Sequence, residues 1–185
     1  MKKALVIVDM QNDFLTGPLG NAECAATVPE VIKLIESGEY DAIITTQDTH
    51  GENYMETQEG RNLPVPHCIR GTKGHEIQKD IKEAIVNQTS KLTSASKYIK
   101  GIVLEKPTFG SEILAHKLKF EFSDYDEIHF CGVCTGICVI SNVLIAKAAV
   151  PETKICVIEK ACACVTPESH KTAIEAMKMC QVEVR

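Results

Sequence analysis

Residues 126–150, DEIHFCGVCTGICVISNVLIAKAAV, carry the first decision about the fold. DEIHFCGV (126–133) reads as a buried strand and CVISNVLIAKAAV (138–150) as a mostly apolar helix. Between them, Gly132 and Gly136 flank Cys134, and Cys131, Cys134 and Cys138 fall within eight residues. The stretch could hold a metal, a redox pair, a packed interior or a turn that presents one thiol. Cys131-x2-Cys134-x3-Cys138 matches no common zinc or iron–sulfur spacing with a second half elsewhere. Cys162-x-Cys164 is a poor chelate, since alternate residues of a strand splay along one face. A redox Cys-x-x-Cys belongs at the start of a helix that directly follows its strand, whereas here GVCTG intervenes after Cys131. For each cysteine a small buried hydrophobe is the default reading. Cys138 departs from it by starting a helix, where a thiol pKa falls and free N–H groups can receive a developing oxyanion.

Outward from this stretch the pattern repeats. KALVIVD (3–9), YDAIITTQD (40–48), GIVLEKP (101–107), TKICVIE (153–159) and QVEV (181–184) read as further strands. ECAATVPEVIKLIESG (23–38), HEIQKDIKEAIV (75–86), SEILAHKLKF (111–120) and TPESHKTAIEAMKM (166–179) read as helices, the last with Thr166 as cap and Pro167 in the first helical position. Residues 49–74 are rich in Gly, Pro and Asn without periodicity, and a connection that long is usually functional. Alternation of this kind predicts an α/β sandwich with a mainly parallel sheet.

The chain has 185 residues, 44% hydrophobic and 24% charged, which predicts a single domain over 1–185. A net charge of -5 without long runs of one sign argues against nucleic acid or an anionic membrane as partner. MKKALVIVDMQNDF resembles the start of a signal peptide, but its apolar run stops at Asp9 and no small-residue cleavage site follows. Nowhere is an apolar stretch long enough to span a bilayer. Nine cysteines, an odd number, then read as reduced thiols in a cytoplasmic protein.

In a parallel sheet the ligand sits beyond the carboxyl ends of the strands. Asp9 ends the first strand, Asp48-Thr49-His50 follows the second, Lys106 ends the third and the cysteine turn ends the fourth. A thiolate attacking a carbonyl needs a proton carrier and nearby positive charge, which Asp9 and Lys106 can supply. Each has a plainer explanation alone, a solvated acid or a snorkelling lysine. Asp9, however, closes a fully apolar strand, where desolvation raises a carboxyl pKa. No G-x-G-x-x-G or G-x-x-x-x-G-K-[ST] follows a strand, which ranks a nucleotide-binding protein low.

VDMQNDF, EKPTFGS and GVCTGICV, in that order, resemble the isochorismatase-like cysteine hydrolase superfamily, and the resemblance runs from residue 3 to about 184. It implies a three-layer α/β/α sandwich with a six-stranded, mainly parallel sheet and a catalytic triad of Asp9, Lys106 and Cys138. It also implies a cis peptide before Cys134 and an oxyanion hole from the N–H groups of Cys134 and Cys138. Spacing alone does not decide whether Asp48, His50 and His67 hold a metal or form a polar turn. Asp-x-His followed by Pro-His-Cys resembles the nicotinamidases of the superfamily, which implies a divalent metal, zinc first, with iron or manganese as alternatives. Many nicotinamidases carry a further histidine between these motifs and this chain has none, so the fourth ligand is Glu59, Glu56 or water, with Glu59 preferred. The implied activity is cysteine-dependent hydrolysis of nicotinamide through a thioester, with the ring nitrogen toward the metal and Phe14 stacked on the ring. Gln11 either orients the site or is an exposed polar residue. True isochorismatases typically lack both the metal motif and the cysteine, and N-carbamoyl amide hydrolases lack the metal ligands. The rival readings are a metal-independent amidase of another small amide and a catalytically silent binding module. Relatives of this kind often form homo-oligomers. His75, His116, His129 and His170 read as structural or surface residues.

Overall fold

The structure is a computed structural model describing residues 1–95 and 101–185. Its strands are β1 (Lys3–Val8), β2 (Ala42–Asp48), β3 (Gly101–Lys106), β4 (Glu127–Val133), β5 (Lys154–Ala163) and β6 (Glu183–Val184). They form one sheet in the order β3-β2-β1-β4-β5-β6, every neighbouring pair parallel. All seven residues of β4 are buried, while the edge strand β3 alternates exposed and buried positions. That difference is why the central strands read as unbroken apolar runs.

The helices are α1 (Asn12–Leu15), α2 (Ala22–Ala26), α3 (Val28–Glu36), α4 (Gln58–Asn62), α5 (Lys79–Ala95), α6 (Glu112–Glu121), α7 (Ile140–Ala149) and α8 (Pro167–Met179). They cover both faces of the sheet; α3 packs beside α5, and α7 packs between α6 and α8. The side chains of Asn21, Thr57, Ser111 and Thr166 cap α2, α4, α6 and α8, each contributing about 1 kcal/mol. No helix among the described residues is long and apolar enough to cross a membrane.

Several boundaries differ from the sequence reading. The helix predicted over 23–38 is two helices: Thr27 Oγ1 donates to the Cys24 carbonyl at 2.8 Å, and Pro29 has no N–H to continue the ladder. The helix predicted to begin at residue 75 begins at Lys79, because the Gln78 N–H is held by the Met10 carbonyl at 2.9 Å. The 49–74 connection contains a 3₁₀ turn at Tyr54–Glu56 and α4, both too short for periodicity to reveal. β5 continues past 159 to Ala163 after a register shift opposite Phe130 and Gly132, its exposed Glu159 and Lys160 having masked the continuation.

The order of strands changes direction between β1 and β4, so the crevice for a ligand opens between their carboxyl ends. Gly132 lets these strands approach. It holds φ +117°, and a Cβ there would lie 2.1 Å from the Val8 carbonyl oxygen. Beyond it the Val133–Cys134 peptide is cis.

Candidate active site and metal centre

Sheet register sets the site. Val8 pairs with Thr46 and with Gly132, and Asp48 pairs with Lys106. Asp9, one residue past β1, has φ +49°, a left-handed conformation that aspartate tolerates better than most residues. It is fully buried. Thr46 Oγ1 donates to Asp9 Oδ1 at 2.7 Å. Lys106 Nζ lies 2.6 Å from Asp9 Oδ2, 3.4 Å from Asp48 Oδ1 and 3.7 Å from Cys138 Sγ. The ammonium meets Oδ2 at ion-pair distance, yet among the described residues no hydrogen bond is aligned on that oxygen. The Asp9 carboxylate lies close enough to the Cys138 thiol to oppose its ionisation. Asp9, Lys106 and Cys138 are therefore brought together from the ends of β1, β3 and β4.

The expectation of a lowered Cys138 pKa is corrected. Cys138 lies inside a π-turn, Thr135–Val139, and α7 starts only at Ile140. Burial pushes its thiol pKa well up, the Asp9 charge adds to this, and Lys106 opposes it. Burial likewise raises Asp9, against the opposing charge of Lys106. Burial would lower Lys106, but Asp9, Cys138 and Asp48 outweigh it and keep the ammonium charged. The resting site thus keeps a proton on sulfur beside a carboxylate of raised basicity.

The ligand atoms of Asp48, His50, Glu59 and His67 all lie within 4.8 Å of one another. His50 Nε2 is 3.0 Å from Asp48 Oδ2 and 3.7 Å from Glu59 Oε1; His67 Nε2 is 3.5 Å and 3.8 Å from the same atoms. The Nδ1–H of His67 donates to the Val65 carbonyl at 2.8 Å, which turns an Nε2 lone pair toward the cluster. Tyr54 packs against both imidazoles, with ring centroids 4.8 and 4.9 Å away. Burial opposes ionisation of Asp48, yet the His50 hydrogen bond, the neighbouring His67 imidazole and the charge of Lys106 hold it below the usual carboxylate range. Burial raises Glu59. Two carboxylates and two imidazoles converging from β2, α4 and the loop after it suit a divalent zinc, iron or manganese ion. Glu56, the other fourth ligand considered, lies outside this cluster.

Both groups face one cavity of about 380 Å³, whose lining includes Phe14, Asp48, Glu59, His67, Cys134 and Cys138. Phe14 lies with its ring centroid 5.5 Å from that of His67. Gln11 requires a second correction: it is neither exposed nor part of the cavity wall. Its amide donates to the carbonyls of Asp48 and His75, both at 2.8 Å, and accepts the Asp48 N–H at 2.7 Å. Gln11 thus fixes the backbone of a ligand.

Three contributors escaped the sequence reading. Thr46 holds Asp9. Buried Asn142 donates to the carbonyls of Cys138 at 2.8 Å and Phe109 at 3.0 Å and accepts the Ser111 N–H at 3.0 Å, tying the cysteine turn to the segment after Lys106. His170, taken as surface or structural, makes a 2.8 Å hydrogen bond with Thr135 at the start of that turn. An asparagine inside the apolar run of 138–150 was the available signal.

The sequence pattern of the isochorismatase domain matches residues 3–185. An uncharacterized isochorismatase family protein of Bacillus subtilis is 30% identical over 189 residues, covering 94% of this chain and 93% of its own. The crystal structure of nicotinamidase PncA from Bacillus subtilis superposes with a TM-score of 0.79 at 26% identity, covering 100% of this chain and 99% of the other. Pyrazinamidase of Pyrococcus horikoshii, solved in complex with zinc, gives 0.76 at 25% identity over 100% of this chain and 99% of its own.

Proposed function

The chain belongs to the isochorismatase family, and from that premise we propose that it hydrolyses nicotinamide to nicotinate and ammonia through a thioester on Cys138. It is a hydrolase of an amide C–N bond, with residues 1–185 acting as one catalytic domain. The observation that carries the reading is the shared cavity: Cys138, the ligand candidates Asp48, Glu59 and His67, and the aromatic ring of Phe14 all line it.

In this mechanism Asp9 takes the Cys138 proton on its Oδ2, and the sulfur attacks the carboxamide carbon. The N–H groups of Cys134 and Cys138 receive the oxyanion. Asp9 returns the proton to the amide nitrogen as the C–N bond breaks, so ammonia leaves and a thioester remains. Water then gives a proton to Asp9 and attacks the thioester, releasing nicotinate and restoring the thiol. Lys106 stabilises the anionic charge that passes between Asp9 and Cys138. A divalent metal held by Asp48, His50, Glu59 and His67 would supply a Lewis-acid centre at the cavity wall.

Ammonia release from nicotinamide by the purified, reduced, metal-replete protein tests this. Release that disappears in Cys138→Ala and falls with a chelator is expected. No release from the wild type would overturn nicotinamide as substrate and direct the search to other small amides.

A further inference from the structure

Behind the cysteine turn lie thiols that the reaction does not use. The β4–β5 register pairs Gly132 with Cys162 and Val133 with Ala163, so the next position brings Cys134 beside Cys164. Neighbouring strands lie about 4.8 Å apart, inside the roughly 4.4–6.8 Å between Cα atoms that a disulfide spans. The Cys134 and Cys164 thiols lie near enough to shift each other's ionisation, and Cys24, whose thiol reaches the Cys164 carbonyl at 3.8 Å, is a neighbour of both. All three are free thiols.

The pair also connects two cavities. Cys134 lines the substrate cavity, whereas Cys164 lines a second one of about 310 Å³ together with Lys160, Thr166 and His170. The Gly136 N–H donates to Cys164 Sγ at 3.4 Å, an approach that glycine permits, since a Cβ at Gly136 would already lie 3.3 Å from that sulfur. Hydrogen bonds from Cys134 and from backbone N–H groups bring the Cys164 pKa down to about 5, despite burial. Cys164 is thus the more acidic thiol of the pair, and it lines the second cavity.

We propose that Cys134 and Cys164 form an oxidation-sensitive dithiol that a hydroperoxide converts into a disulfide, disabling the adjacent catalytic turn. Cys164 gives its proton to solvent and the thiolate attacks one peroxide oxygen; the O–O bond breaks, the departing hydroxide takes up a solvent proton as one water, and Cys164 becomes a sulfenic acid. Cys134 sulfur then attacks the Cys164 sulfur, the S–O bond breaks, and hydroxide leaves with the Cys134 proton as a second water. Two thiols lose two electrons and two protons, and one hydrogen peroxide becomes two waters. The consequence for activity rests on the proposed oxyanion role of Cys134. Its carbonyl accepts the N–H groups of Ile137 and Val139 at 3.0 and 3.1 Å, so displacing Cys134 displaces the turn that carries Cys138.

The test uses the full chain carrying Cys138→Ala, which removes the competing nucleophile. It is exposed to one equivalent of hydrogen peroxide, alkylated and mapped by peptide mass spectrometry. A peptide pair joined through Cys134 and Cys164, and released by dithiothreitol, is expected. Alkylated Cys164, or a linkage through Cys24 instead, overturns the assignment. In otherwise wild-type protein, peroxide should lower ammonia release more than tenfold with recovery in dithiothreitol. Cys164→Ser should keep basal activity and lose the recoverable component; an undiminished recoverable component there contradicts the proposal. The mass readout needs no turnover, so absence of nicotinamidase activity would not be confused with absence of the disulfide.

Discussion

At the residue scale the proposed chemistry turns on one proton passed between Cys138 and Asp9. Cys138→Ala should reduce turnover by at least about a thousandfold without altering the fold, since the sulfur is the bond-forming atom. Asp9→Asn, which cannot carry the proton, should cost roughly 10²–10⁴ in kcat. The pH profile follows from the raised Asp9 pKa: activity needs the carboxylate, so it is lost as pH falls through a value above the ordinary aspartate range. The Thr46 hydrogen bond favours the ionised carboxylate and lowers that pKa. In Thr46→Val the acid limb of kcat/KM should therefore move to higher pH; a limb that stays in place would remove Asp9 as its origin. Asp9, Lys106 and Cys138 could be picked out because each falls at a strand end and brings a distinct chemistry. Thr46 could not, since its role is a contact with a residue far away in the chain, and Asn142 showed only as an amide in an apolar run, because its bonds to Phe109 and Ser111 are long-range.

At the element scale, strands and long helices were legible because a buried sheet enforces apolar runs and a helix face enforces periodicity. The π-turn and α4 were not, because one or two turns are too short to show periodicity, nor was the bulge in β5, which depends on strand register. Gly132→Ala tests the register. Its Cβ would meet the Val8 carbonyl oxygen at 2.1 Å, so β1 and β4 must separate, and a loss above about 3 kcal/mol, read as a large drop in Tm, is expected. Glu127 tests the far end of the sheet. The Arg185 guanidinium reaches its carboxylate at 3.0 and 3.2 Å, and with His129 holds its pKa down to about 2 from 4.5 despite burial. Because the folded pKa lies below the unfolded one, this contact stabilises fully above pH 4.5 and is lost as pH falls toward 2. Glu127→Gln should lower stability by about 1–3 kcal/mol at pH 7 and by little at pH 2. Equal losses at both pH values would show that the charge is not responsible. Glu127, His129 and Cys156 also place ligand atoms within 4.8 Å of one another, but the guanidinium already supplies the cation there.

At the scale of the molecule, the strand order concentrates the chemistry at one rim, with the triad and the four-ligand cluster joined by Lys106, which lies within 3.4 Å of Asp48 as well as against Asp9. A cation there would neutralise two carboxylates, buried Asp48 and half-buried Glu59, and tie β2 to the 49–74 connection. Zinc at about 100 times its Kd should add about 2.7 kcal/mol, or roughly 5–10 °C in Tm, a rise that a chelator reverses and Glu59→Gln diminishes. The most direct measurement is the intact mass of the protein acid-quenched during turnover of nicotinamide. A nicotinoyl adduct that maps to the peptide containing Cys138, and is absent from Cys138→Ala, is the expected result. Continued ammonia release by Cys138→Ala at the wild-type rate would contradict covalent catalysis by this thiol.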